Sequence, residues 1–378
     1  MREDFHASRF TFHASRFMTN YRASTFKQEK SAAAWQQALG KLPNAHALQS
    51  WTWGDFKSRW GWQKIPLLLT VAESSWEPLA AAMVLKRKIP RTPFSILYVP
   101  KGPALDYNDG PLRRQVLAQL EKVARQERAI LIKIDPDVVK AWGEEQERPS
   151  PIGSQFSKEL KERGWLFANE QIQFRNTVEL YLEPSEDDLL MAMKQKTRYN
   201  IRYAGRKGIT VREGSPADFD TILQMYQETA DRDDFTIRPP DYYRDIWTSF
   251  YEAGMAQPLL AEYEGEPVAA VILVKFGDKA IYMYGASTEK ERRRMPNYLL
   301  QWEAIRWAKA QGCRTYDFWG APDEFVEDDP LWGVWRFKSG FEGEVVHHIG
   351  AWDYPVRPLL YKLYTQLLPR YIEWLRNR

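Results

Sequence analysis

The feature that most constrains this chain is that it repeats itself. Residues 66–103 read "PLLLTVAESSWEPLAAAMVLKRKIPRTPFSILYVPKGP" and residues 258–287 read "PLLAEYEGEPVAAVILVKFGDKAIYMYGAS". Each copy runs from a Pro-Leu-Leu strand through an acidic turn to "EPLAAAMVL" or "EPVAAVILV", then to a third strand, "SILYVP" or "AIYMYG". A helical pattern follows in each, "GPLRRQVLAQLEKVARQER" or "MPNYLLQWEAIRWAKAQG", and then a strand closing on aspartate, "AILIKIDP" or "CRTYDFWG". Four elements in the same order indicate an internal duplication, which must be recognised before any fold is assigned.

The strand segments are apolar and rich in β-branched residues, with short polar turns between them, as hairpins require. The helical segments place Leu117, Leu120, Val123 and Ala124, or Leu300, Ile305 and Ala308, on one face. An antiparallel meander followed by a helix and a further strand is the layout of the N-acetyltransferase superfamily. The expected fold is therefore α+β with mixed sheets, as two acetyltransferase-like (GNAT-like) domains in tandem. Residues 18–178 together with 355–378 are assigned to the first domain and 179–354 to the second. Enzymes of that superfamily hold the coenzyme A pyrophosphate on a glycine-rich turn opening the helix, through backbone N–H groups. The equivalent turns here, "YNDGPLRR" and "RRRMPNYLL", lack the paired small residues such an approach needs. An acyl donor other than a thioester is expected.

The length of 378 residues accommodates two such domains. A net charge of +3 is close to neutral, so any nucleic-acid contact must be local rather than a general attraction to phosphate. The single cysteine, Cys313, excludes an internal disulfide and a cysteine metal cluster, and fits a reducing compartment. The hexamer "FHASRF" occurs at Phe5–Phe10 and Phe12–Phe17, just before Met18, and residues 1–17 are read as a tail or as sequence upstream of the true start. No signal-peptide core and no spanning apolar run is visible, because "PLLLTVAESSWEPLAAAMVL" is broken by two glutamates and a proline. The chain is read as cytoplasmic.

The stretch "KQKTRYNIRYAGRKG", Lys194–Gly208, is the densest basic segment considered. It is expected to end one helix running from about Ser185 to Lys207, with Ser185 as N-cap, Glu186, Asp187 and Asp188 in the first turn, and Gly208 as the stop. Acids at the start and bases at the end suit the helix dipole, which alone would account for the pattern. Yet Lys194, Arg198, Arg202 and Arg206 fall four apart in one stripe, where like charges repel. Tyr199 and Tyr203 form the next stripe. A cationic ridge beside two rings suits a phosphodiester chain.

With these strings in view, the sequence resembles the Fem-type aminoacyltransferases that build peptidoglycan interpeptide bridges. The resemblance runs from about Leu48 to Pro358 and rests on "LQSWTWGDFKSRWGW", "YVPKGP", "LIKIDP", "KTRYNIRYAGRKGI", "YMYGAS", "PNYLLQWEAIRWAKAQGCRTYDFWG" and "WRFKSGFEGE". The lack of a long coiled-coil arm points to the compact FemX type. The resemblance implies transfer of an amino acid from aminoacyl-tRNA to an amine of a nucleotide-linked (UDP) or lipid-linked precursor, by a monomer without metal or cofactor. It places the precursor on the first domain and the aminoacyl-tRNA on the second. By position, Lys57 matches a lysine holding the precursor's phosphates and Arg238 a second phosphate-binding residue. Tyr282 and Tyr284 match tyrosines lining the precursor cleft, Phe337 and Lys338 the pair against the aminoacyl end, and Asp135 a carboxylate considered catalytic.

The chemistry agrees. An ester is already activated relative to an amide, so aminolysis needs proximity, an exit for the amine proton and a positive group beside the oxyanion. Lys338 can supply that charge. Competing toolkits are poorly represented: His347 and His348 would point to opposite faces of a strand, and no nucleophile elbow, Walker loop or dinucleotide fingerprint occurs. The acidic run "APDEFVEDDP" is read as a solvated turn. Trp51, Trp53, Trp60 and Trp62 crowd Lys57 as cleft walls or core. Leu360, Leu363, Leu367, Tyr371 and Trp374 form an apolar face, expected to pack on the first domain, with peripheral membrane contact as the other reading. The alternatives kept open are a twin-domain N-acyltransferase using acyl-CoA and a non-catalytic RNA- or precursor-binding protein.

Overall fold

The computed structural model describes residues 26–72 and 75–367. The hexamer repeat, Met18, Tyr371 and Trp374, and the side chain of Leu367, lie outside the described residues. The duplicated segments build two mixed sheets. In the first, β1 (Gln63–Ala72), β2 (Ser75–Lys88) and β3 (Ser95–Val99) form an antiparallel meander, and β3 pairs in parallel with β4 (Ala129–Ile134) across the helix Gly110–Gln126. β5 (Val139–Trp142) and β6 (Asn176–Tyr181) follow. The second sheet repeats the plan with β7 (Ala256–Tyr263), β8 (Glu266–Phe276) and β9 (Lys279–Ser287), and β9 pairs in parallel with β10 (Thr315–Asp317) across the helix Pro296–Ala310. The expected α+β architecture of two like units is present.

The two sheets exchange strands. β11 (Glu344–His348) pairs with both β6 and β5, so Val139–Trp142 extends the second sheet, while β12 (Trp352–Pro355) joins β4 in the first. Sheet membership thus crosses the boundaries drawn at residues 178 and 355. Long-range pairings of this kind leave no periodic mark in a sequence.

Among the described residues the three largest apolar layers hold the fold, and the middle one belongs to both units. Along β2, Ala80, Ala82 and Val84 face the helix Gly110–Gln126, whereas Ala81, Met83 and Leu85 face the middle layer. Along β8, Ala269, Val271 and Leu273 pack under the helix Pro296–Ala310, and Ala270, Ile272 and Val274 face the same middle layer. Between the sheets lie α1 (Trp51–Arg59) and the helix Pro240–Glu252, contributing Trp53 and Phe56, and Tyr243, Trp247 and Phe250. Ser50 caps α1 by accepting from the Trp53 amide at 3.1 Å. The two helices are clamped by Arg59, whose guanidinium donates to Asp245 and, at 2.7 Å, to Ser249, while Trp60 Nε1 donates to Asp245 at 2.8 Å. Burying strands on both faces is what makes the alanine-rich "AAAMVL" and "AAVILV" runs suitable.

The basic segment departs from expectation. Ser185 caps as predicted, accepting from the Asp188 amide at 3.1 Å, and Gly208 stops the run at φ +86°. The single helix Ser185–Lys207 is instead two, Glu186–Ala192 and α2 (Gln195–Arg206). Met193 and Lys194 are extended, with ψ 155° and 141°. Burial of the Met193 side chain, and donation of the Lys194 amide to the Gly340 carbonyl at 3.0 Å, override the local helical preference. The terminal segment packs on the first sheet through Leu360, Tyr361 and Tyr364 against Ile130 and Leu131, while Leu359 and Leu363 stay exposed. Among the described residues no helix is long and apolar enough to cross a membrane.

Charge is concentrated where the sheets meet. Glu179 on β6 lies directly opposite Asp317 on β10, an arrangement that would repel. Lys279 answers both, at 2.6 Å from Glu179 and 4.0 Å from Asp317, and reaches Asp137 of the first unit at 3.7 Å. Asp137 also receives Lys101 at 3.3 Å and lies 3.2 Å from His348, whose ring is held down to about 4 by burial; against its own burial, the positive charge around Asp137, Lys101 first, holds its carboxyl well below the usual range. Removing Lys279 would leave three sheltered carboxylates short of a cation. Lys279→Met is therefore expected to cost about 3 kcal/mol or more in denaturant-induced unfolding. A loss under about 0.5 kcal/mol would show that the cluster does not hold the seam.

Candidate active site

Two cationic centres open around the shared layer. At the first, α1 presents Lys57 inside an aromatic cage: its ammonium lies 5.4 Å from the Trp53 ring, 5.9 Å from Trp62 and 5.4 Å from Tyr242, and donates to the Tyr242 hydroxyl at 3.3 Å. Arg238 stacks on the same Tyr242 at 5.4 Å, and Arg87 on the same Trp62 at 5.5 Å. Burial, then the positive charges of Arg238 and Arg87, pull the Lys57 ammonium down to about 8. Three cations share two rings here, and among the described residues no carboxylate lies within ion-pair distance of any of them. Such a cluster is matched by a multiply charged anion whose oxygens take several donors at once. Lys57 and Arg238 were expected here; Arg87 was not. Its signal was parity, because residue 87 follows Ala81, Met83 and Leu85 on the inward side of β2.

The second centre is Lys338, at the end of the short helix Trp332–Lys338. Its ammonium is buried and donates to two successive carbonyls, Trp319 at 2.7 Å and Gly320 at 2.6 Å, with the Tyr282 ring 5.8 Å away. Burial pulls this lysine down to about 7, against a smaller upward pull from Asp317. It can therefore carry or release a proton near neutral pH. Phe337 packs on Tyr298 and Phe341. The pairing of β9 with β10 ends at Ile281 and Asp317, and the chain beyond Asp317 turns away through Trp319 at φ +57°. The lysine is thus seated where the parallel strands part.

Tyr282 and Tyr284 do not share a face. A bulge after Tyr282 pairs Tyr282 with Leu273 but Tyr284 with Ile272. Tyr282 therefore stands on the Lys338 side, over Gly285, where any Cβ would collide with its hydroxyl. Tyr284 stands on the other side, among Tyr226, Tyr243 and Trp247. Asp135 is buried at the end of β4, accepting from the Tyr98 hydroxyl at 3.2 Å, and burial lifts its carboxyl above the ordinary range. Tyr98 in turn lies 6.5 Å from Trp62 of the Lys57 cage and accepts from Gln173 at 3.2 Å. Asp135 thus reaches the cleft through Tyr98 rather than by its own exposure.

The basic helix α2 starts beside Lys338. Lys194 lies 3.3 Å from Ser339 and 3.9 Å from Glu342, and Thr197 packs where a Cβ on Gly340 would go. Arg198 is partly spent on structure, donating to the Met191 carbonyl at 2.9 Å and also to that of Met193. Arg202 and Arg206 are exposed, and Tyr199 stacks on Tyr203 at 5.7 Å with Arg206 over it at 5.9 Å. The equivalent of the coenzyme A turn is already filled in the first unit. Asp109 caps the helix Gly110–Gln126 by accepting from the Leu112 amide at 2.9 Å, beside a cavity of about 170 Å³ lined by Glu77, Asp106 and Asp109 with Lys41. A pyrophosphate would meet carboxylates there.

The anion site has a direct test in inorganic pyrophosphate titrated against tryptophan fluorescence, since Trp53 and Trp62 wall the cage. Arg87→Gln is expected to weaken binding about tenfold, the loss of one charged hydrogen bond. Wild-type affinity is expected to fall as pH rises through about 8, where Lys57 loses its charge. Equal affinity for Arg87→Gln and wild type, or for Lys57→Gln and wild type, would contradict the assignment.

The model of the FemAB family matches residues 31–262 and 252–368. Lipid II:glycine glycyltransferases of Staphylococcus haemolyticus and Staphylococcus aureus are 25% and 24% identical, each alignment covering 87% of this chain and 92% of the relative. The crystal structure of FemX superposes with a TM-score of 0.79 at 22% identity, over 89% of this chain and 99% of that one. A tandem GNAT protein from the clavulanic acid pathway superposes with a TM-score of 0.53 at 10% identity, over 88% and 98%. With both units covered by one family model and the duplicated fold in place, the chain belongs to the FemAB family.

Proposed function

We propose that this protein transfers an amino acid from aminoacyl-tRNA to an amine on the stem peptide of a peptidoglycan precursor. The observation that carries the reading is Lys338, a buried lysine with no carboxylate within ion-pair distance among the described residues, seated at the foot of an exposed basic helix. The glycyl transfer named for its curated relatives, with lipid II as acceptor, favours the lipid-linked precursor over the nucleotide-linked one. In this reading Lys57, Arg87 and Arg238 hold the precursor's diphosphate. Arg202, Arg206 and the Tyr199–Tyr203 stack carry the acceptor end of the tRNA.

The chemistry requires little more. The acceptor amine attacks the ester carbonyl, a C–N bond forms, the ester C–O bond breaks, and the amine proton finishes on the leaving ribose oxygen. Lys338 neutralises the oxyanion that develops between these events, and its lowered proton affinity lets it pass a proton to the leaving oxygen. Two carbonyls fix the ammonium beforehand, so no reorganisation is needed as the charge appears. Asp135 and Tyr98, between the two centres, offer the amine proton a path. Phe337 shapes the pocket beside Lys338.

Incubation with a mixture of charged tRNAs and with nucleotide-linked and lipid-linked precursors, followed by mass spectrometry, tests the reading. A mass gain of one or more amino-acid residues is expected on the lipid-linked form. Lys338→Met is expected to lose about 10²–10³-fold in turnover, with precursor binding retained. No gain from any charged tRNA, or acylation from acyl-CoA instead, would overturn the proposal.

A further inference from the structure

Lys338 is held by a turn that no local rule explains. Trp319 adopts the left-handed region at φ +57°, which is costly for a bulky side chain, of order 1 kcal/mol or more. Only in that turn do the carbonyls of Trp319 and Gly320 converge on one ammonium, and Gly320 is required because a Cβ there would meet the Phe174 ring at 2.9 Å. Something must hold the strain. Asp317, two residues earlier and buried, accepts from the Trp319 amide at 2.8 Å with Oδ1 and receives the Thr177 hydroxyl at the same oxygen. Its other oxygen faces Lys279 at 4.0 Å. From the opposite side, the Trp319 ring is packed by His46 at 5.8 Å and Phe174 at 6.3 Å, with the Lys101 ammonium 5.4 Å above it.

We propose that Asp317 is the positioning residue of the Lys338 centre: its Oδ1 clamps the left-handed Trp319 turn whose two carbonyls seat the reacting ammonium, and its negative charge stands behind that ammonium. The inference rests on the reading of Lys338 as the reacting group and adds a residue that touches neither substrate. The charged and titratable groups around this centre are few. Lys338 has the Asp317 charge behind it and the Tyr282 phenol ring beside it. Asp317 faces Lys279 from β9, Glu179 and Thr177 from β6, and, one step further, Asp137 with His348 from β11. Tyr316 turns away to donate to Gln301 at 2.7 Å. Asp317 is thus the carboxylate that opposes the effect of burial on the lysine.

Asp317→Asn keeps the shape and the Oδ1 acceptor while removing the charge. Its effect is read on Lys338 itself, by NMR of protein carrying ¹³Cε-lysine, with the resonance assigned by its loss in Lys338→Met. The wild-type midpoint is expected near 7, and Asp317→Asn is expected to lower it by about one unit, since a neighbouring anion favours the charged form of an amine. Transfer activity should then fall at neutral pH and recover on acidification, a shift that a purely structural loss would not produce. Asp317→Glu, which retains the anion, supplies the second reading and should keep the midpoint above that of the Asn variant. The inference is overturned if Asp317→Asn leaves the midpoint in place, if the Glu variant falls as far as the Asn variant, or if activity drops equally at every pH. Should wild-type protein transfer nothing, the aminoacyltransferase reading fails while the lysine titration still decides the role of Asp317.

Discussion

A lysine taken out of water and given carbonyls in place of a carboxylate is the interaction on which the rest of this structure depends. An ion pair would have fixed the Lys338 charge and blunted it. Two carbonyl oxygens orient the ammonium while leaving its field available to a substrate oxygen. The arrangement needs the β9–β10 pairing to end early, the chain after Asp317 to enter a strained turn, and the loops carrying His46, Lys101 and Phe174 to brace the Trp319 ring. Each requirement is met by a different part of the duplicated fold.

The duplication also explains why there are two cationic centres of different character. Both units share one apolar layer, so the helices that fill it, α1 and Pro240–Glu252, bring Lys57 and Tyr242 together from separate copies. The first unit has its helix N-terminus satisfied by Asp109 and seats its cations on aromatic rings nearer the surface, where Lys57 is half-buried and Arg87 exposed. The second unit keeps the open strand pair for Lys338. In the function proposed above, a scaffold that elsewhere presents a thioester receives two large anionic partners.

Much of this was legible in the sequence because it is local. Strand alternation, the paired "EPLAAAMVL" and "EPVAAVILV" runs and the two amphipathic helices follow from side-chain period alone. The Ser185 cap and the Gly208 stop were legible for the same reason. The exchange of Val139–Trp142 and Trp352–Pro355 between sheets was not, since pairing partners over 200 residues apart carry no periodic signature. Nor was the break at Met193–Lys194, where a tertiary contact with Gly340 outweighs helix propensity. The resemblance put Tyr282 and Tyr284 together in one cleft; a single bulge sets them on opposite faces. Arg87 in "KRK" and Asp317 closing the strand in "YDFWG" were not singled out, since their partners come together only in the fold.

The central claim is that RNA delivers an ester to Lys338 along the basic helix. A tRNA carrying a photoreactive adenine at its 3′ end, irradiated on the protein and mapped by peptide mass spectrometry, addresses that claim most directly. Crosslinks to the peptides bearing Tyr282 and Phe337–Lys338, lost on competition with uncharged tRNA and unaffected by coenzyme A, are the predicted result. Crosslinks confined to the first sheet, or labelling that coenzyme A displaces, would contradict it.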